Sequence, residues 1–117
     1  MLIALLHILL VVPFLGYIVY QKAATPEWVY SLLFGLGLFV FAYHSYKSLV
    51  RWMAKSPSLW VNLFHVILVA PLMIYIGFLG KKTPRAGYEL MAILTFGALG
   101  YHIYTLILFT QTMAPDS

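Results

Sequence analysis

Four long runs of apolar residues fill almost the whole of this 117-residue chain. They extend roughly from Leu2 to Tyr20, from Trp28 to Tyr46 with a continuation to Met53, from Leu59 to Leu79, and from Ala86 to Thr110. A bilayer hydrocarbon core about 30 Å thick takes about 20 helical residues, at about 1.5 Å of rise each. Every run meets that length. With three short loops they use nearly the entire chain, so no soluble domain is left over. Helix is favoured over strand because every backbone polar group must be satisfied inside lipid. A barrel would also show segments of about 10 alternating residues, and these runs do not alternate.

Composition supports the same class. The chain is 63% hydrophobic and 9% charged, whereas soluble domains carry about 25% charged residues. A soluble domain this small hides only about two-thirds of the surface its open chain exposes. The expected architecture is an all-α integral membrane protein, one transmembrane domain over residues 1–117, with the lipid bilayer as its first partner. Further copies of the chain or other membrane proteins would be the others. Cysteine is absent, which removes disulfides and thiolate chemistry. The formal net charge of +4 comes from loop Lys and Arg, where lipid phosphates attract them; it does not read as a nucleic-acid surface. Lys47, Arg51 and Lys55 fall on one side and Lys22, Lys81, Lys82 and Arg85 on the other. This balance leaves the orientation open.

The loops carry helix-start signals. Thr25-Pro26 precedes the second run and Thr83-Pro84 the fourth, so each Thr is expected to cap and each Pro to take the first helical position. The tail Ala114-Pro115-Asp116-Ser117 is expected to fray. Lys22-Ala23-Ala24 weakly resembles a signal-peptide cleavage site, but a basic leader segment is missing and the repeat below makes the first run a mature helix.

The halves align without a gap at an offset of 58, the interval from His7 to His65. Identities run Leu10 with Leu68, Val11 with Val69, Pro13 with Pro71, Tyr17-Ile18 with Tyr75-Ile76, and Thr25-Pro26 with Thr83-Pro84. They continue with Tyr30 and Tyr88, Leu32 and Leu90, Leu36 and Leu94, Tyr43-His44 and Tyr101-His102, and Tyr46 and Tyr104. Counting the two leading histidines, 14 of the 44 positions from His7 to Val50 are identical. Apolar bias explains matched Leu and Val; it does not explain matched His, Pro, Tyr and Thr-Pro. The chain therefore reads as two tandem helical hairpins, residues 2–53 and 59–111. A two-span unit returns to its starting side, so both copies share one orientation, related by a pseudo-two-fold axis along the membrane normal. The expectation is a four-helix bundle.

All four histidines belong to matched pairs. His7 and His65 lie near the start of odd spans, and His44 and His102 near the end of even ones, which places all four in one layer about 8–10 Å inside one face. Tyr43 and Tyr46 flank His44, and Tyr101 and Tyr104 flank His102; they are candidate neighbours of the layer, or interface anchors. Ionisable groups at membrane depth usually face the bundle interior, and a neutral imidazole has a donor and an acceptor to satisfy. Three readings follow. In the first, the layer fixes helix packing and binds nothing. In the second, it holds haem b, with His7 and His65 or His44 and His102 as axial ligands and the other pair in support. A bare transition metal is the variant of that reading, since imidazole suits zinc, copper, iron and nickel. In the third, the layer relays protons, against which stands the lack of any acid deep in a span.

Other features divide in the same way. Gly35, Gly37 and Ala42, with Gly97, Ala98 and Gly100, make room for a planar ring or for close helix packing, the commoner use. Pro13 and Pro71 bend their helices, opening a pocket or nothing. Tyr17, Tyr20, Tyr30, Tyr75, Tyr88 and Trp28, with Trp52 and Trp60 on the other side, read as aromatic belts. No Ser/His/Asp set, His-Glu-x-x-His pattern or glycine-rich phosphate loop is present, which points away from an enzyme.

The pattern His-x5-Pro-x3-Tyr-Ile ending in Tyr-His-x-Tyr occurs from His7 to Tyr46 and again from His65 to Tyr104. With the linker Ser56-Pro57-Ser58-Leu59-Trp60-Val61-Asn62-Leu63, it resembles small uncharacterised membrane proteins encoded by large DNA viruses of algae. That resemblance implies a virion or host membrane and a structural or assembly role, and it carries over no functional residue.

Overall fold

The structure, a computed structural model, describes residues 2–113; the tail from Ala114 to Ser117 lies outside them. Every regular element among the described residues is helical. The four helices are α1 (Leu2–Ala24), α2 (Glu27–Met53), α3 (Leu59–Lys82) and α4 (Arg85–Met113), all long and apolar enough to cross a membrane. Their bounds follow the apolar runs to within a few residues. The largest extensions are the basic turns Lys22–Ala24 and Gly80–Lys82, which wind on as 3-10 helix.

Neither α1 nor α3 is a uniform α-helix. Each widens into one π turn, at His7–Val11 and His65–Val69. In these turns the Val12 N–H reaches back five residues to the His7 carbonyl, and the Ala70 N–H to that of His65. The cause lies immediately downstream. Pro13 and Pro71 have no N–H, and their rings crowd the carbonyl four residues back, those of Leu9 and Ile67. A π turn accommodates the misfit without a gap in the backbone bonding. The two wide turns, the ten-residue α segments Val12–Gln21 and Ala70–Leu79, and the 3-10 turns all recur at the spacing that separates His7 from His65.

The starts of α2 and α4 correct the expected caps. Pro26 stands before the first helical residue with φ −60° and ψ 148°, and no side chain caps α2. The first turns instead close on proline carbonyls, from Val29 N–H to Pro26 (3.0 Å) and from Gly87 N–H to Pro84 (2.9 Å). The Thr83 hydroxyl points back to donate to the Gly80 carbonyl at 2.7 Å. The Thr25 hydroxyl is fully buried without a partner. Thr83 returns to the preceding helix because a carbonyl lies within reach. The carbonyl that corresponds to Gly80 in the first loop, that of Lys22, accepts the Tyr30 hydroxyl and the Thr25 N–H.

The chain divides into two compact units, one built on α1 and α4, the other covering Lys22–Gly87 with α2 and α3. In the second, Val29, Tyr30, Leu33 and Gly37 of α2 are buried, as are Ala70, Met73 and Ile76 of α3. Both sets follow the three-and-four spacing of one helix face. Glycine sets the approach. A Cβ on Gly77 would lie 2.6 Å from the Phe34 backbone nitrogen, and one on Gly37 2.9 Å from Ile74 Cγ1. In the first unit, Ala4, Leu15 and Ile18 of α1 and Tyr88, Met91, Thr95 and His102 of α4 are buried. A small apolar crevice of about 170 Å³ lies there, beside Gly16 and Thr95.

The outside of the molecule is apolar. Leu9, Ile67, Phe78 and Phe96 are each about two-thirds or more exposed, and so are Trp28 and Trp52. At most 22% of the most apolar window of any helix is buried, so few of the apolar side chains are enclosed within the molecule.

Candidate functional site

The structure brings the four histidines together two by two. In the α1–α4 unit, the rings of His7 and His102 stack with centroids 4.2 Å apart and planes 22° from parallel. In the α2–α3 unit, His44 and His65 stack at 4.2 Å and 13°. Each pair joins a histidine beside a π turn to one on an unbroken helix. His102 is buried and the other three are half-buried.

The odd-helix rings fold back along their own helices. The Nδ1 of His7 lies 2.7 Å from the Ile3 carbonyl, and that of His65 2.7 Å from the Val61 carbonyl. A carbonyl only accepts, so both nitrogens carry the proton, and in the neutral ring the lone pair is on Nε2. This bond pins the ring to the preceding turn just where the π turn begins.

His44 is held differently. Its Nδ1 lies 2.8 Å from the side-chain nitrogen of Asn62, a residue 3% exposed on α3. The Asn62 carbonyl oxygen in turn accepts from Arg51 Nη1 at 2.7 Å. The same guanidinium nitrogen donates to the Ser58 carbonyl at 3.3 Å. Arg51 therefore ties the end of α2 to the start of α3 across the middle loop. That loop turns tightly, with Lys55 at φ 55° and the Ser56 N–H on the Arg51 carbonyl at 2.9 Å.

Two of the four candidate tyrosines meet their histidines. Tyr43 and Tyr101 stand edge-on to His44 and His102, with ring centroids 5.2 and 5.3 Å apart. Tyr46 and Tyr104 are largely exposed, at 64% and 59%, as interface anchors would be. Of the small residues, Gly37 serves close packing. A Cβ on Gly35, Gly97 or Gly100 would meet nothing within 4 Å.

The geometry inside each unit bears on metal chemistry. The lone pair of imidazole lies in the ring plane, so two ligands on opposite sides of one iron point their edges at it. A face-to-face stack does not present that arrangement. Among the described residues no group of three or more His, Asp or Glu side chains is placed to hold a metal ion. The alternative axial sets, His7 with His65 or His44 with His102, each take one ring from each unit.

The chain matches no protein-family model, no curated protein and no solved structure.

Asn62 was not among the candidate site residues, and Arg51 was read only as one of the basic residues of the histidine side. The repeat hides them, since the position matching Asn62 is Ala4 and that matching Arg51 is Phe109. A signal was present nonetheless: Asn62 is a lone amide inside an apolar run, three residues before a histidine.

Proposed function

We propose that this is a multi-pass membrane protein, grown by tandem duplication of a helical hairpin, whose histidine pairs are joints between helices. Its role is structural or in assembly. The observation that carries this reading is the repeated stack: twice, an imidazole from one helix lies face to face with an imidazole from another at 4.2 Å. In a lipid-facing bundle, apolar contact with a neighbouring helix gains little over contact with acyl chains, so polar contacts and close packing decide which helices associate. The outward-facing Leu, Ile, Phe and Trp side chains support the membrane placement. The matched π and 3-10 turns support the duplication.

The test is stability in detergent micelles. His65→Ala removes one face of the stack while leaving Asn62 and Arg51 in place. Interhelical polar contacts of this kind average about 0.6 kcal/mol and reach about 1.7 kcal/mol, so a loss in that range is expected on SDS titration, and a similar loss for His102→Ala. Unchanged stability in both would remove the joint.

A second reading, a haem- or metal-binding membrane protein, has one observation in its favour. His7 and His65 both give Nδ1–H to a backbone carbonyl, the arrangement that fixes the tautomer and orientation of ligating histidines. Titration of the purified protein with hemin separates the readings. A Soret shift lost in His7→Ala or His65→Ala would establish the haem role; hemin binding that ignores both substitutions, or none at all, would end it.

A further inference from the structure

We infer that Arg51, acting through Asn62, sets the tautomer of His44 and makes the two rings of its stack chemically complementary. The inference deepens the joint reading and takes from it only the stacked pair. The groups that flank Asn62 and His65 have donor or acceptor character that is not adjustable. Arg51 has only donors, and its Nη1 lies 2.7 Å from one side-chain atom of Asn62. That atom must be the amide oxygen, because the alternative orientation would set two donors against each other. The amide nitrogen is then the atom 2.8 Å from His44 Nδ1. An amide N–H only donates, so His44 Nδ1 must accept, and the ring proton sits on Nε2. His65 is the opposite case, with its proton on Nδ1 facing the Val61 carbonyl.

The stack therefore pairs an Nε2–H ring with an Nδ1–H ring. The clamp belongs to one copy of the repeat, because Ala4 and Phe109 stand at the positions corresponding to Asn62 and Arg51. The two histidine pairs have thus diverged chemically within a duplicated frame. Arg51 and Asn62 are positioning residues: they act on the joint through His44.

The experiment is nitrogen NMR of the full chain, labelled with 15N in the histidine rings and held in lipid nanodiscs. His44 is assigned by the signals missing in His44→Gln. In the unsubstituted protein His44 is expected to show a bare Nδ1 and a protonated Nε2, and His65 the reverse. Asn62→Asp replaces the donating amide with an acceptor-only carboxylate, so the His44 proton moves to Nδ1. Arg51→Gln lets the Asn62 amide turn over, so His44 shows both tautomers while keeping its place. A protonated Nδ1 in the unsubstituted protein overturns the inference without any variant having to fold. So does a His44 spectrum unmoved by both substitutions in samples whose helix content is intact. The joint itself fails differently, through unchanged stability of both His65→Ala and His102→Ala.

Discussion

Gly77→Ala is the substitution that most directly tests how α2 and α3 meet. The added Cβ would stand 2.6 Å from the Phe34 nitrogen, 2.7 Å from its Cα and 2.8 Å from its Cβ. Comfortable non-bonded separations are about 3.5–4.0 Å, so the two helices must part by roughly 1 Å. No rotamer change can provide that, because the obstruction is backbone. Overpacking of this kind costs about 1–3 kcal/mol. Alanine recovers part of it, since glycine within a helix is about 0.8–1.0 kcal/mol less favourable. Gly16→Ala supplies the control. It gains the same propensity, and its Cβ would meet nothing within 4 Å. The difference in unfolding free energy between the two variants, with propensity cancelling, is then the overpacking cost alone: about 1–3 kcal/mol in favour of Gly16→Ala. Reversible SDS unfolding in mixed micelles, followed by far-ultraviolet circular dichroism, measures it, and each 1.4 kcal/mol is a tenfold change in the folding constant. Equal stabilities within about 0.5 kcal/mol, the usual span of neutral substitutions, would show that the glycine contact is not what sets the spacing of α2 and α3.

Thr25→Val should be neutral or stabilising by up to about 1 kcal/mol, because it removes a fully buried hydroxyl that has no partner. Thr83→Val should cost about 1 kcal/mol by breaking the bond to the Gly80 carbonyl; the reverse order in thermal melts would contradict the arrangement of both loops. Asn62→Leu leaves Arg51 and His44 to find other partners and should destabilise by about 1–3 kcal/mol, more than His65→Ala does; a smaller effect would mean that the clamp is dispensable for stability. Pro71→Ala restores an N–H for the Ile67 carbonyl and removes the cause of the wide turn. Reverting to α-helix rotates the preceding segment by about 100° and should pull His65 off His44, abolishing the ring-to-ring NMR contact. A retained contact would show that the π turn does not depend on the proline.

The helices were legible because each is a run of apolar residues long enough to cross a membrane, and sequence displays such a run directly. The element count, the bounds of each run and the even spacing of His, Pro and Tyr need no three-dimensional information. The positions of the four histidines were legible for the same reason. Their geometry was not. Thr25-Pro26 read as a cap and a first helical residue, yet the hydroxyl is buried without a partner and Pro26 stands before the helix. Of the glycines that looked like packing residues, Gly37 is in tight contact, whereas a Cβ on Gly97 or Gly100 meets nothing within 4 Å; the closest approach falls at Gly77, which no motif marked.

By itself the sequence determined the four apolar helices of the described residues, and that histidine and proline recur at matching places in each half. Only the tertiary structure decided which rings face each other, that proline writes a π turn beside each odd-helix histidine, and that Asn62 and Arg51 orient His44. The reason is the composition of the helices. A helix that is apolar around most of its circumference does not reveal by periodicity which side packs; contact distances, backbone clashes and the direction of each hydrogen bond do.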